Sequence, residues 1–362
     1  MTATPPQLQA VVNESLPFSR PPTPGLHAHN VGFVGLGAMG YKMARNLANR
    51  QTYHQTGSTP PPVLVYNRTV AKSESLLKEL GAAKIKIAQN PEQVAKECDV
   101  IITCLASDDA VKSMYESFCV GLEDAKHDRP KIFVEASTIY PALAGELDLM
   151  LSHIPRTHLI TCPVFGRPSA AEHAQLILVM AGDYRSKKEV AYLLVPAVGR
   201  RVIDVGGNLE KAPTFKLIGN SLILGFMEAM AESMTMAEKT GIGSETTLDF
   251  IRDMFPAVPL VNYATKIANN QFDGTKGFAI DGGIKDASHI RRLTNEHNTP
   301  MPMIDIAHQH LLTARAIYEA QKIEGQETYE VLDWCALVAG SRVAGGLDGL
   351  GSGTKTKVVR DD

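Results

Sequence analysis

The sequence predicts an α/β domain with a parallel-rich sheet, followed by a long interdomain helix and an all-α C-terminal domain. Three observations predict it. From residue 31 to about 205, short β-branched runs ("VGFVG", "VLVYN", "DVIITCL", "KIFVEAST", "HLITCPV", "LILVMAG", "RVIDVG") alternate with helical stretches, the pattern of strands paired in parallel beneath helices on both faces. From residue 212 onward the pattern is helical only. A chain of 362 residues, 44% hydrophobic and 21% charged, is long enough to bury two cores.

Residues 1–29 carry Pro5, Pro6, Pro17, Pro21, Pro22 and Pro24 with little periodicity, the composition of a flexible N-terminal arm. The α/β domain is expected over 30–206. Inside it the segment 52–62, "TYHQTGSTPPP", is longer than a compact helix-to-strand link requires. The second domain, 207–345, opens with a helix over 212–240. Phe215, Leu217, Ile218, Leu222, Leu224, Phe226, Met227 and Met230 make that helix apolar nearly all round, which predicts burial on most sides. Its small residues Gly219, Ser221, Gly225, Ala229 and Ala231 suit close approach of other helices or a second subunit, so a homodimer or higher homo-oligomer is expected. "TLDFIRDMF", "PLVNYATKIANNQF", "IKDASHIRRLTNEHN", "PMIDIAHQHLLTARAIYEAQ" and "TYEVLDWCALVAGSRVAG" read as further helices, and 346–362 as a flexible tail.

Thirty-six Lys and Arg against thirty-nine Asp and Glu leave a formal charge of -3, which supplies no electrostatic ground for nucleic acid or an anionic membrane. A small-molecule ligand is expected instead. Five cysteines, an odd number with no C-x-x-C pair, argue against a disulfide framework or a zinc site, and His308 and His310 fall on different sides of a helix, so no metal is expected. No apolar run approaches the ~20 residues of a membrane span. The N-terminal segment lacks the apolar stretch of a secretory signal. A cytoplasmic protein is expected, with a mitochondrial address as the alternative.

Gly35, Gly37 and Gly40 form G-x-G-x-x-G directly after an apolar strand and directly before the helical "YKMARNLANR". The first glycine suits the tight turn, the second the approach of backbone to a pyrophosphate, and the third the packing of helix on strand. With Leu36, Ala38 and Met39 they form a candidate dinucleotide cradle at a helix N-terminus. Leu105, which ends "DVIITCL", belongs to the same set. At the end of the second strand, where an acidic residue would bind a ribose hydroxyl and repel a 2'-phosphate, the chain has Asn67, Arg68 and Thr69. Asn67 removes the repulsion and Arg68 supplies charge and fork geometry, so NADP(H) is the expected cofactor.

"GFVGLGAMG", "NRT", "STIYP" (137–141), "FKLIGN" (215–220) and "GFAIDGGIKD" (277–286) occur in this order. Together, over residues 30–340, they resemble the β-hydroxyacid dehydrogenase family, which includes 3-hydroxyisobutyrate dehydrogenases and glyoxylate and succinic semialdehyde reductases. The resemblance implies an N-terminal Rossmann domain of the 6-phosphogluconate dehydrogenase type and an active site in the cleft between the domains. It also implies hydride transfer between nicotinamide and a small carbonyl or hydroxyacid substrate. Lys216 and Asn220 lie four apart on one face of the apolar helix. By the resemblance Lys216 is the general acid or base, its pKa lowered by burial, and Asn220 orients the reacting oxygen. Ser137 and Thr138, after the strand "KIFVEA", match the residues that meet the substrate carboxylate; a Ser-Thr pair before a helix is also an ordinary N-cap. Lys285 matches a residue that meets cofactor or carboxylate, Phe278 the aromatic before it, and Asp286 is expected to orient or cap locally.

One motif departs from the family. Its substrate loop commonly reads D-A-P-V-S-G-G, whereas this chain has Thr161, Cys162, Pro163, Val164, Phe165, Gly166 and Arg167. Phe165 replaces a hydroxyl and Arg167 replaces a glycine beside the substrate's acid group. Arg167 either clamps a carboxylate itself or closes that subsite. The leading function is therefore an NADP(H)-dependent oxidoreductase acting on a small carbonyl or hydroxyacid. The alternatives are an imine reductase, to which the family is related in architecture, and a non-catalytic NADPH-binding dimer.

Overall fold

The computed structural model describes residues 16–19, 29–50, 59–123 and 129–351. Most of the expected arm, most of the 52–62 insertion and residues 352–362 of the expected tail lie outside the described residues. The chain divides into two compact units between Lys216 and Leu217, a point inside one helix, Lys211–Lys239, that belongs to both.

Among the described residues the first unit contains nine strands: β1 (Val31–Val34), β2 (Val63–Tyr66), β3 (Ile85–Ile87), β4 (Val100–Thr103), β5 (Lys131–Glu135), β6 (Thr157–Thr161), β7 (Val164–Phe165), β8 (Leu176–Gly182) and β9 (Gly199–Asp204). Their order is β3-β2-β1-β4-β5-β6-β8-β7, with β9 paired to β8. Strands β1 to β6 pair in parallel. Alternate residues of these strands feed opposite cores: Phe33, Val65, Ile102 and Val134 face one side, Val34, Leu64, Ile101 and Phe133 the other. Burial on both faces is why β1, β2, β4 and β5 read as near-continuous apolar runs; the edge strand β3, with Lys86 exposed, does not.

The sheet is parallel-rich, as expected, and its antiparallel part lies at the far edge. β8 runs antiparallel to β6 and β7 and parallel to β9. "HLITCPV" is also two strands, because Pro163 has no N–H to donate to a ladder; its carbonyl instead accepts from Val179 N at 3.0 Å. Helices α1 (Gly40–Ala48), α2 (Val70–Leu80), α3 (Pro91–Glu97), α4 (Asp108–Leu122), α5 (Pro141–Ser152), α6 (Pro168–Glu172) and α7 (Tyr184–Leu194) connect the strands. Asn90, Ser107 and Asp183 cap α3, α4 and α7 through their side chains.

Strand order reverses at β1, between β2 and β4. In an open α/β sheet, the carboxyl ends of strands beside such a switch form the ligand crevice.

Part of the expected arm is docked. Leu16 and Phe18 are buried in the sheet core, the Phe18 ring meets Tyr184 edge-on at 5.7 Å, and Tyr192 Oη donates to Phe18 O at 3.2 Å. The sequence hides this because two apolar residues among prolines show no period.

In the second unit, α8 (Lys211–Lys239) continues into α9 (Ser244–Met254), α10 (Val258–Ala268), α11 (Ile280–Glu296), α12 (Pro302–Ile323) and α13 (Val338–Ala344). Residues 328–333, expected to be helical, lie outside these helices. Leu217, Leu224, Met227, Ala231 and Met234 enter this unit's core. The expectation that α8 is buried on most sides fails, because Phe215, Ile218, Leu222 and Phe226 form an exposed stripe at helical spacing. Leu350, inside the expected tail, is buried in the same core.

Phe18→Ala should cost about 3 kcal/mol of stability, the range for removing a buried aromatic ring, as measured by urea denaturation. No change would mean that the segment is not docked in solution.

Candidate active site

The turn after β1 is shaped by steric exclusion. Gly35 sits at φ +96°, and a Cβ there would lie 2.2 Å from Cys104 O and 2.8 Å from Leu105 Cδ2. A Cβ on Gly40 would lie 2.0 Å from Gly35 O and 3.2 Å from Phe33 Cε1. The chain turns at the first glycine and packs helix against strand at the third. Around Gly37 a Cβ would meet nothing within 4 Å, so the middle position opens to an approaching diphosphate. A cavity of about 340 Å³ is bounded there by Leu36, Gly37, Ala38, Tyr41, Lys42, Lys72 and Ser75. These residues fit a dinucleotide. The Leu36 side chain is buried, and Met39 is the N-cap of α1.

Asn67 also has a structural role. Its Oδ1 accepts from Leu36 N at 2.8 Å, and its Nδ2 donates to Thr69 O at 2.9 Å, so it ties the glycine turn to the end of β2. Arg68 and Thr69 are exposed beyond it. Lys72, one helical turn after Arg68, lines the cavity, as does Lys42, which is ion-paired with Glu172. Sequence reasoning missed Lys72. The Arg68-to-Lys72 spacing of four at a helix start was the available signal.

At the ends of β4 and β5, Ser137 is 3% exposed. Its Oγ accepts from Leu105 N at 2.7 Å, and its N–H donates to Glu135 Oε1 at 2.8 Å. The hydroxyl expected to meet substrate thus joins two strand ends inside the protein. Thr138 beside it is half-buried. Glu135 is fully enclosed; burial pushes its carboxyl up to about 7, against the opposing influence of Ser137 and of the nearby Thr103 and Tyr115 hydroxyls. It too was missed, although an acid closing the apolar run "KIFV" was visible.

The departing loop forms a third cluster. Phe165, in β7, meets Phe215 edge-on at 6.0 Å and 86°, and Lys216 Nζ lies 4.5 Å from the Phe165 ring centroid. Lys216 is half-buried, not enclosed as the apolar helix implied. Thr161 is buried and donates from Oγ1 to Leu209 O at 2.7 Å. Burial pushes the Cys162 thiol up to about 12, which leaves it unreactive. Gly166 has φ +142°, and a Cβ there would lie 2.5 Å from Leu176 Cδ2. Arg167, the N-cap residue of α6, is half-buried.

In the second unit, Asn220 is buried and its Nδ2 donates to Asp286 Oδ2 at 2.7 Å. Lys285 Nζ lies 3.2 Å from Asp286 Oδ1. A carboxylate accepts only from the NH₂ end of an amide, so Asp286 fixes the orientation of Asn220. The Phe278 ring packs edge-on against Trp334 at 4.7 Å, over Gly282, where a Cβ would lie 2.9 Å from Phe278 Cζ. A separate cavity of about 390 Å³, lined by Arg291, Thr294 and Asp305 among others, contains none of the expected site residues.

Residues 30–207 match the family described as NAD binding domain of 6-phosphogluconate dehydrogenase. Residues 211–328 match the family described as NAD-binding of NADP-dependent 3-hydroxyisobutyrate dehydrogenase. Uncharacterized oxidoreductase YfjR of Bacillus subtilis is 29% identical over 309 residues, covering 85% of this chain and 98% of its own. NADH-dependent oxidoreductase ucdB of Aspergillus ustus is 27% identical over 274 residues, covering 75% and 88%. The structure of Mycobacterium tuberculosis 3-hydroxyisobutyrate dehydrogenase with L-serine matches with a TM-score of 0.67 at 22% identity, covering 86% of this chain and 98% of that one; this is a likeness of fold.

A carboxyl raised from its ordinary 4.5 to about 7 keeps its proton in the folded state where the unfolded chain has lost it. Stability should therefore fall as pH rises between those two values, by about 3 kcal/mol in total. Denaturation of the wild type and Glu135→Gln from pH 4 to 8.5 isolates this component as their difference. A flat difference would contradict the raised value.

Proposed function

The chain belongs to the β-hydroxyacid dehydrogenase family of oxidoreductases, and from that premise we propose that it moves hydride between NADPH and a small carbonyl compound or its hydroxyacid counterpart. Lys216 carries the proton. The single observation behind this reading is a lysine on an apolar helix, half-buried, with its ammonium against the Phe165 ring and one turn before a buried Asn220.

The dinucleotide, when bound, supplies or accepts the hydride. The rest is work for this chain's own residues. Gly35 to Gly40 hold the diphosphate, with the N-terminus of α1 facing it. Lys216 gives a proton to the substrate oxygen in reduction and takes it back in oxidation. Asn220, its amide fixed by Asp286, orients that oxygen. Arg68 and Lys72, with no acid at the end of β2, favour a 2'-phosphate and hence NADPH over NADH.

Imine reduction is a second reading, favoured by the Phe165 and Phe215 pair, which suits a bulkier and more apolar substrate. Cyclic imines assayed beside short semialdehydes separate the two.

Lys216→Met, which keeps the length of the side chain and removes the proton, should lower turnover by about 10² to 10⁴-fold, the usual share of a general acid, with NADPH affinity unchanged. Wild-type turnover in this variant would reject the role. Arg68→Ala should weaken NADPH binding by about tenfold, the worth of one charge-assisted contact, and leave NADH binding as it was. Equal effects on both cofactors would show that Arg68 does not read the 2'-phosphate.

A further inference from the structure

Proton transfer by Lys216 leaves Glu135 without a part. Its enclosure is costly: the described groups that face it are Thr103 from β4, Tyr115 from α4 and Ser137 from the turn after its own strand, and none is a cation. Its Oε2 lacks a hydrogen-bond partner. An apolar side chain would fill this space without that penalty.

What the carboxyl does is hold Ser137, and the contacts run on from there. Ser137 N–H donates to Glu135 Oε1 at 2.8 Å. Ser137 Oγ accepts from Leu105 N at 2.7 Å. Leu105 Cδ2 and the carbonyl of Cys104 are the atoms that a Cβ on Gly35 would meet, at 2.8 and 2.2 Å. Three successive contacts thus link the buried carboxyl to the wall behind the glycine turn.

We propose that Glu135 is a positioning residue for the dinucleotide: through Ser137 and Leu105 it sets the wall against which the Gly35 turn closes. The proposal rests on reading Gly35 to Gly40 as the cofactor cradle. When ionised, Glu135 accepts charge-assisted bonds from Ser137 and holds it tightly. When protonated, one oxygen becomes a donor, suited to Thr103 or Tyr115, and the hold on Ser137 loosens. Burial brings this change to about pH 7. Tyr115, the titratable group facing it, is itself raised well above its ordinary value and stays neutral throughout.

The test is the dissociation constant of NADPH and of NADH, titrated against the intact chain from pH 5.5 to 8.5. The variants are Glu135→Gln, Glu135→Asp, Ser137→Ala and the Gln/Ala double. The difference between wild type and variant removes the titration of the 2'-phosphate and of distant groups. The ratio of the Glu135→Gln constant to the wild-type constant should rise from near one at low pH to about tenfold at high pH. The double variant should bind no worse than Ser137→Ala. Glu135→Asp keeps the charge and should retain a smaller pH-dependent advantage; it also carries the test if Glu135→Gln folds poorly. A pH-independent ratio, or additive losses in the double variant, would overturn the proposal. Wild type binding neither dinucleotide would overturn the cofactor reading beneath it, a distinct result.

Discussion

At the end of β1 two stretches of backbone approach too closely for any side chain to stand between them. Gly40 closes onto Gly35 O at a distance that forbids a Cβ, and Gly35 closes in the same way onto Cys104 O. Helix α1 therefore starts directly on β1 and beside the end of β4, which brings its first turn to the crevice where strand order reverses. Such a turn cannot adjust by moving a side chain. It depends on the hydrogen bonds that fix its neighbours: Asn67 to Leu36 on one flank, Ser137 to Leu105 on the other. The glycine turn is thus a property of the strand ends, held from within the sheet.

This explains what could be read from the sequence. Gly40 answers a contact with Gly35 O five residues away and Gly35 a positive φ, so their spacing shows in the local sequence. β1, β2, β4 and β5 are visible because both faces are buried, whereas β3 (Ile85–Ile87), a three-residue edge strand with Lys86 exposed, leaves no such run and does not show as a strand in the sequence. The direction of β8 is not visible either, since "LILVMAG" has the composition of its parallel neighbours and its direction depends on the connection that precedes it. The apolar count of α8 says nothing about which stripe is covered, and the exposed line through Phe215, Ile218, Leu222 and Phe226 follows from where the other helices lie. Asn67 and Ser137 have the residue types of ligand contacts. Their side chains turn inward because backbone N–H groups from other strand ends need acceptors there.

Glu135 and Lys216 show opposite treatments of charge in the same unit. Glu135 is sealed among neutral donors, so its ionisation depends on how well those donors serve it. Lys216 keeps part of its surface to solvent and meets an aromatic ring. The face of a ring attracts the cation through its quadrupole and takes no proton. Replacing the family's hydroxyl by Phe165 thus does more than fill space: it keeps Nζ in place beside a neutral apolar surface, packed in turn against Val179, Ala181 and Ala212. A ring therefore stands beside Nζ where the family's motif commonly has a hydroxyl, and it is held there by packing from its own sheet.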